Sequence, residues 1–244
     1  MVPEDKIAEF VKRVREAGGT NVEGVILFGS AASGNFRPGY SDLNMFCVLR
    51  DGSFAALKSL ATAVKWWRGQ KQPPPLCMTR QELERSTDVF TIELLDMQQH
   101  HRVLFGEDVV KGLRISTHLH RVQVEYELRE KLVLLRQHLL VADGNEKQLW
   151  DVVLHSVPSF ATLFRHALMA LGVDAPAERR EAVQALSARL GFDATAIRQA
   201  LDVREKKAEP KKLNVENLCA GYLAAIEQVA AAVDKALDRE ASSK

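Results

Sequence analysis

The stretch Val25-Ile-Leu-Phe-Gly29-Ser30-Ala-Ala-Ser-Gly34-Asn-Phe-Arg37-Pro-Gly39-Tyr-Ser41-Asp42-Leu-Asn44-Met-Phe-Cys-Val-Leu49 reads as a strand, a Gly-Ser turn, a loop and a second strand. Val25 to Phe28 form a short apolar run closed by Gly29-Ser30, the pattern of a strand covered on both faces. Asn35 to Tyr40 carry turn chemistry, and an apolar strand follows from Asp42 to Leu49. Side chains at i and i+2 of a strand share a face, so Asp42 and Asn44 present two oxygen ligands side by side. Such a pair suits Mg²⁺. The Gly29-Ser30 turn, at an expected helix start, offers backbone N–H groups and a hydroxyl that suit phosphate oxygens. Together they are arranged to grip a metal-bound triphosphate.

Working outward, residues 3 to 17 read as a helix, with Pro3, Glu4 and Asp5 at its start and Gly18-Gly19 past its end. A second helix is expected at 53–68. Pro73-Pro74-Pro75 excludes helix and leads into a short strand at 76–78, then a helical turn at 80–86. In Asp88-Val-Phe-Thr-Ile-Glu93-Leu-Leu-Asp96, Phe90, Ile92 and Leu94 alternate with their neighbours, which predicts a fourth strand with Glu93 on its opposite face. Strands and helices alternate, so residues 1–112 read as an α/β domain with a small mixed sheet.

Beyond about residue 116 only the helical period remains. Val124, Leu128, Leu132, Leu135 and Leu139 mark one long helix. Trp150, Val153, Val157, Phe160, Phe164, Leu168 and Leu171 mark the next, with Pro158 as an expected kink. Val215, Leu218, Tyr222, Ile226, Val229, Val233 and Leu237 mark a third, and shorter helices at 176–190 and 194–203 fill the interval. Residues 113–244 therefore read as an all-α helical bundle domain.

The 33 Lys and Arg residues nearly balance the 32 Asp and Glu residues. Duplex binding neutralises several phosphates, so no nucleic-acid partner is expected. Apolar runs are far shorter than the roughly 20 residues of a membrane-spanning helix, so no membrane partner is expected either. Cys47, Cys77 and Cys219 are odd in number and lack C-x-x-C spacing, which predicts reduced thiols rather than a disulfide or zinc framework. With no uncharged apolar segment near the N-terminus, this points to a cytoplasmic protein. The histidines of His100-His101 and His118-x-His120 lack acids or cysteines at ligand spacing.

The hallmark of residues 25–49, Gly-Ser, a loop and then Asp-x-Asn, resembles that of the DNA polymerase β-like nucleotidyltransferase superfamily, where the last motif is Asp-x-Asp or Asp-x-Glu. The stretch Thr91-Ile-Glu93-Leu-Leu-Asp96-Met, running into Val103-Leu-Phe-Gly106-Glu-Asp108, is similar to the third strand and following turn of minimal and aminoglycoside nucleotidyltransferases. The resemblance implies a nucleoside monophosphate moved from an NTP to a hydroxyl of a small-molecule or protein acceptor, with two Mg²⁺ ions clamping the triphosphate. It assigns Asp42, Asn44 and Glu93 to the metal, Asp42 and Glu93 to catalysis, and Gly29, Ser30 and Arg37 to the nucleotide, with Asp96 in reserve for Glu93. Asn44 keeps a carbonyl ligand but contributes no negative charge. At about 4 Å and an effective dielectric near 20, one charge pair is worth roughly 4 kcal/mol, or about three decades in rate or affinity. The two-ion site is weakened accordingly, and the alternative is a nucleotidyltransferase fold that serves as a nucleotide-binding or protein-interaction module.

Overall fold

The computed structural model describes residues 2–142 and 144–241, with side chains through residue 236. Two compact units divide the chain, Met1–Thr117 and His118–Lys244. In the first, α1 (Glu4–Gly18) leads through a 3-10 turn at Gly19–Asn21 into β1 (Val22–Phe28) and a second 3-10 turn at Gly29–Ala31, then β2 (Asn44–Leu49), α2 (Phe54–Gly69), β3 (Leu76–Thr79), α3 (Arg80–Arg85), α4 (Thr91–Gln99) and β4 (His101–Gly106). The sheet order is β3-β2-β1-β4; β1 is antiparallel to both β2 and β4, while β3 runs parallel to β2. The unit is thus the small mixed-sheet α/β domain that the sequence predicts.

Period-2 alternation explains the layering, because each sheet face has its own core. Val25, Leu27, Leu43, Met45, Cys47 and Leu49 pack with Phe10 and Val14 of α1 and Leu60 and Trp67 of α2. Ile26, Phe46 and Val48 pack on the opposite side with Leu83 of α3 and Leu94 and Met97 of α4, joined by Val110. Ser53 caps α2 by accepting the Ala56 N–H, and Thr79 with Glu82 forms a capping box at the start of α3. Gly106, at φ 81°, closes β4 against β1: a Cβ there would stand 2.0 Å from the Glu23 carbonyl oxygen, so only glycine allows the approach.

The strand expected at 88–96 is not formed. Residues 91–99 are α4, and the fourth strand lies later, at His101–Gly106. Phe90, Ile92 and Leu94 satisfy period 2, but Thr91, Leu94 and Met97 satisfy the helical spacing as well, and these three are buried with Ile92. Tertiary burial decides between two periods that a nine-residue segment cannot separate. The Thr91 hydroxyl adds a bond to the Ser116 carbonyl at 3.0 Å.

The second unit consists of α5 (His120–Ala142), α6 (Glu146–Ala170), α7 (Arg179–Leu190), α8 (Thr195–Arg204) and α9 (Val215–Ala241). Most of the expected stripe positions are its core: Val124, Leu128, Leu132 and Leu135 of α5, Val153, Val157, Phe160, Phe164 and Leu168 of α6, and Val215, Leu218, Tyr222, Ile226, Val229 and Val233 of α9 are buried, while Leu139, Trp150 and Leu171 are half-buried. Leu237 lies outside the described side chains. Asn145 caps α6 through the Gln148 N–H, and the helix continues through Pro158. The buried Tyr222 hydroxyl is satisfied, since its Oη lies 3.0 Å from Ser156 Oγ. Among the described residues no helix is long and apolar enough to cross a membrane.

Candidate active site

Sheet register brings the two halves of the Gly-Ser and Asp-x-Asn motif together. The last Cα pair between β1 and β2 is Phe28 with Asn44, so the chain enters the Gly29–Ala31 turn beside the residues that open β2. Gly29 has φ 76°, a left-handed conformation that suits glycine, and a Cβ there would stand 3.0 Å from Asn44 Nδ2. Ala32 and Ser33 donate their N–H groups to the Gly29 carbonyl at 3.0 Å, which closes the turn. Ser30 and Ala31 precede those first bonded donors, the position from which backbone N–H groups point outward. The expected helix start is therefore one short turn, and its contribution is local N–H groups and a hydroxyl rather than a helix dipole.

β2 itself begins at Asn44, so Asp42 lies two residues ahead of it, in the segment that leads into the strand. Leu43, Met45, Cys47 and Leu49 are buried on the α1 and α2 side, which turns Asn44, within β2, to the other face. Asp42 is exposed and Asn44 half-buried. The Leu43 N–H donates to Gln72 Oε1 at 2.8 Å and pins the segment between them. Arg37 is exposed in the preceding loop, where its own N–H donates to Ser41 Oγ at 3.0 Å.

Glu93 sits exposed in the first turn of α4. The strand alternation that was to aim it is absent, so its assignment stands on family resemblance alone. The neighbouring strands supply no substitute: neither β3, Leu76-Cys-Met-Thr79, nor β4, His101-Arg-Val-Leu-Phe-Gly106, contains a carboxylate. Among the described residues no three His, Cys, Asp or Glu side chains group to hold a metal ion. Two oxygen donors bearing one negative charge do suit a single Mg²⁺ that arrives with its phosphates, because that ion is commonly held by one or two carboxylates plus substrate oxygens. They do not make the three-carboxylate cradle that a two-ion clamp needs.

Sequence reasoning missed the partner of His101. Phe28 pairs with Asn44 on one side and with His101 on the other, so Asn44, Phe28 and His101 form one row across the sheet. His101 Nε2 lies 2.9 Å from Asp108 Oδ1, and Nδ1 lies 2.8 Å from the Met97 carbonyl. Burial works to raise the Asp108 carboxyl, but the bonds from His101 and from the Lys111 and Val110 N–H groups prevail and hold it below the usual range. His101 thereby ties α4 to the segment after β4, a structural role that no local pattern announces.

Residues 7–98 match the family model of the nucleotidyltransferase domain. The Gly29-Ser30 turn and the Asp42-x-Asn44 motif both lie inside that matched stretch, and the first unit is similar to the nucleotidyltransferase domain of the DNA polymerase β-like superfamily. Among solved structures, the chain is similar over both units to spectinomycin adenyltransferase AAD(9) from Enterococcus faecialis, a crystal structure with ATP and spectinomycin. The identity is 16%, the match covers 92% of this chain and 99% of that one, and the TM-score is 0.56. No curated protein matches the sequence.

Proposed function

We propose that the protein is a Mg²⁺-dependent nucleotidyltransferase that moves a nucleoside monophosphate from an NTP to a hydroxyl of a small molecule or protein. The observation that supports this reading is the Phe28 to Asn44 register, which brings the Gly29-Ser30 turn beside Asn44, two residues after Asp42. The fold shared with an adenyltransferase crystallised with ATP and spectinomycin favours a small-molecule acceptor.

In this mechanism the Ser30 hydroxyl and the N–H groups of the turn hold phosphate oxygens. The Asp42 carboxylate and Asn44 Oδ1 hold Mg²⁺ and set the orientation of the triphosphate. When bound, the ion neutralises charge on the α-phosphate and on the departing pyrophosphate. The acceptor oxygen forms a bond to the α-phosphorus as the bond to the bridging oxygen breaks. Glu93, with Asp96 in reserve, is the third acid by family resemblance, and Arg37 is the loop cation for the nucleotide.

A thermal-shift panel of NTPs with and without Mg²⁺ tests the reading, followed by mass analysis of hydroxylated acceptors. The expected result is Mg²⁺-dependent stabilisation by an NTP that both Ser30→Ala and Asp42→Ala abolish without unfolding the protein. Stabilisation retained in both variants would overturn it. A second reading, a fold that binds nucleotide without transferring it, is favoured by Asn44 and by the absence of carboxylates from β3 and β4. NTP binding with no transfer to any acceptor would select that reading.

A further inference from the structure

Cys47 and Cys77 are directly opposite one another on the parallel strands β2 and β3. Adjacent strands lie about 4.8 Å apart, inside the Cα separation of roughly 4.4–6.8 Å that a disulfide spans. Both side chains face the α1 and α2 core: Cys47 is fully enclosed within it, and Cys77 packs against it from outside. β3 is the edge strand of the sheet, and Cys77 is only partly covered there. An enclosed thiol and a reachable thiol thus stand in register.

We propose that Cys47 and Cys77 are a redox pair which a hydroperoxide closes into an intramolecular disulfide. The reachable Cys77 sulfur attacks the peroxide as its thiolate; an S–O bond forms, the O–O bond breaks, and an alcohol, or water from hydrogen peroxide, leaves. Cys47 then attacks the Cys77 sulfenic acid; the S–S bond forms, the S–O bond breaks, and the hydroxyl departs as water with the Cys47 proton. In sum, two thiols and one hydroperoxide give one disulfide, one alcohol and one water, with two electrons passing from sulfur to the peroxide. The thiols are already matched to these parts. The bond from Cys47 holds the Cys77 thiol below its ordinary range, while that same bond first and burial second hold Cys47 well above its own.

Closure reaches beyond the pair. Gln72, just ahead of Pro73-Pro74-Pro75 and β3, is the residue that pins the Leu43 N–H between Asp42 and Asn44. The link forms on the strand that this clamp precedes, so closure of the pair is coupled to the Leu43 amide.

The full-length chain is treated with stoichiometric hydrogen peroxide and mapped by non-reducing peptide mass analysis, with amide exchange of Leu43 followed in parallel. The expected product is 2 Da lighter, contains a Cys47 to Cys77 linked peptide, reverts with dithiothreitol, and exchanges the Leu43 amide faster than the reduced protein. Cys219→Ser forms the same link. Cys77→Ser does not, and Cys47→Ala, which keeps the core position apolar, instead leaves Cys77 as a sulfenic acid trapped by dimedone. Cys77 over-oxidised while Cys47 stays a thiol, or a link between two chains instead of within one, would overturn the pairing. An unchanged Leu43 exchange rate in the linked protein would overturn its coupling to the site.

Discussion

A Cβ placed on Gly29 would stand 3.0 Å from Asn44 Nδ2, so the turn and the Asn44 side chain meet closely enough that an added carbon forces the amide to give way. Gly29 also holds φ 76°, where a side chain is strained by about 1–2 kcal/mol. Gly29→Ala is therefore expected to lower Tm by roughly 2–8 °C and to remove the stabilisation by Mg²⁺ and NTP. Differential scanning calorimetry with and without ligand measures both effects. A variant of normal stability and normal binding would show that the turn and Asn44 do not act together.

Restoring the missing charge separates transfer from binding. Asn44→Asp keeps nearly the same shape at the same place in the sheet register and adds one negative charge. Mg²⁺ affinity in the presence of NTP should tighten tens-fold or more, and any nucleotide transfer should rise with it. Calorimetric titration and an acceptor-labelling assay read the two effects. Faster transfer by the native protein than by Asn44→Asp would mean that the amide is the better ligand for this reaction.

The acids rank differently. Asp42→Asn should abolish Mg²⁺-dependent NTP binding, while Glu93→Gln, on α4, should weaken the Mg²⁺ dependence several-fold. Mg²⁺ titration of NTP binding compares them with Asp96→Asn. Indifference to both α4 substitutions would leave Asp42 as the one acid in use and favour a nucleotide-binding module.

In the helical unit, His120 Nε2 lies 2.9 Å from His166 Nδ1, and Arg165 reaches His166 Nε2 at 3.2 Å. If Arg165 donates to Nε2, His166 carries its proton on Nδ1 and donates it to His120. Burial first, then repulsion from His166 and Arg121, push His120 down to about 4. The unfolded chain therefore binds a proton between about pH 6.5 and pH 4 that the folded chain refuses, and stability rises with pH across that window. This contribution is complete above 6.5 and lost as pH falls, by up to about 3 kcal/mol for a depression of this size. Urea unfolding at pH 7 and pH 4.5, compared between native protein and His120→Gln, isolates it. An equal acid sensitivity in the variant would rule His120 out as the source.

What could be read from the residues was what the backbone decides locally. Gly29-Ser30 ends β1 in a turn, the apolar run ending at Leu49 forms β2, and most of the stripe positions on α5, α6 and α9 bury where the 3.6 period puts them. Residues 90–97 defeated the same reasoning because their apolar side chains fit both periods, and burial of Met97 and Leu94 against Ile26 and Val48 settles the matter in three dimensions. That error moved the fourth strand and with it the aim of Glu93. The pairs His101 with Asp108 and His120 with His166 were invisible for a related reason, since each joins segments that only the folded chain brings together.

The anchoring of β2 by Leu43, Met45, Cys47 and Leu49 has a consequence for how this domain tolerates changes in length. The exposed loop between Ser33 and Ser41, with glycines at 34 and 39, can lengthen cheaply, because doubling a loop costs only about 0.6 kcal/mol of closure entropy. A single residue inserted between Asp42 and Asn44 would instead turn one of their polar side chains toward the apolar core or pull Leu43 out of it. Insertions thus belong in the loop, whereas the spacing of Asp42 and Asn44 must be kept in any redesign that relies on the proposed ligands.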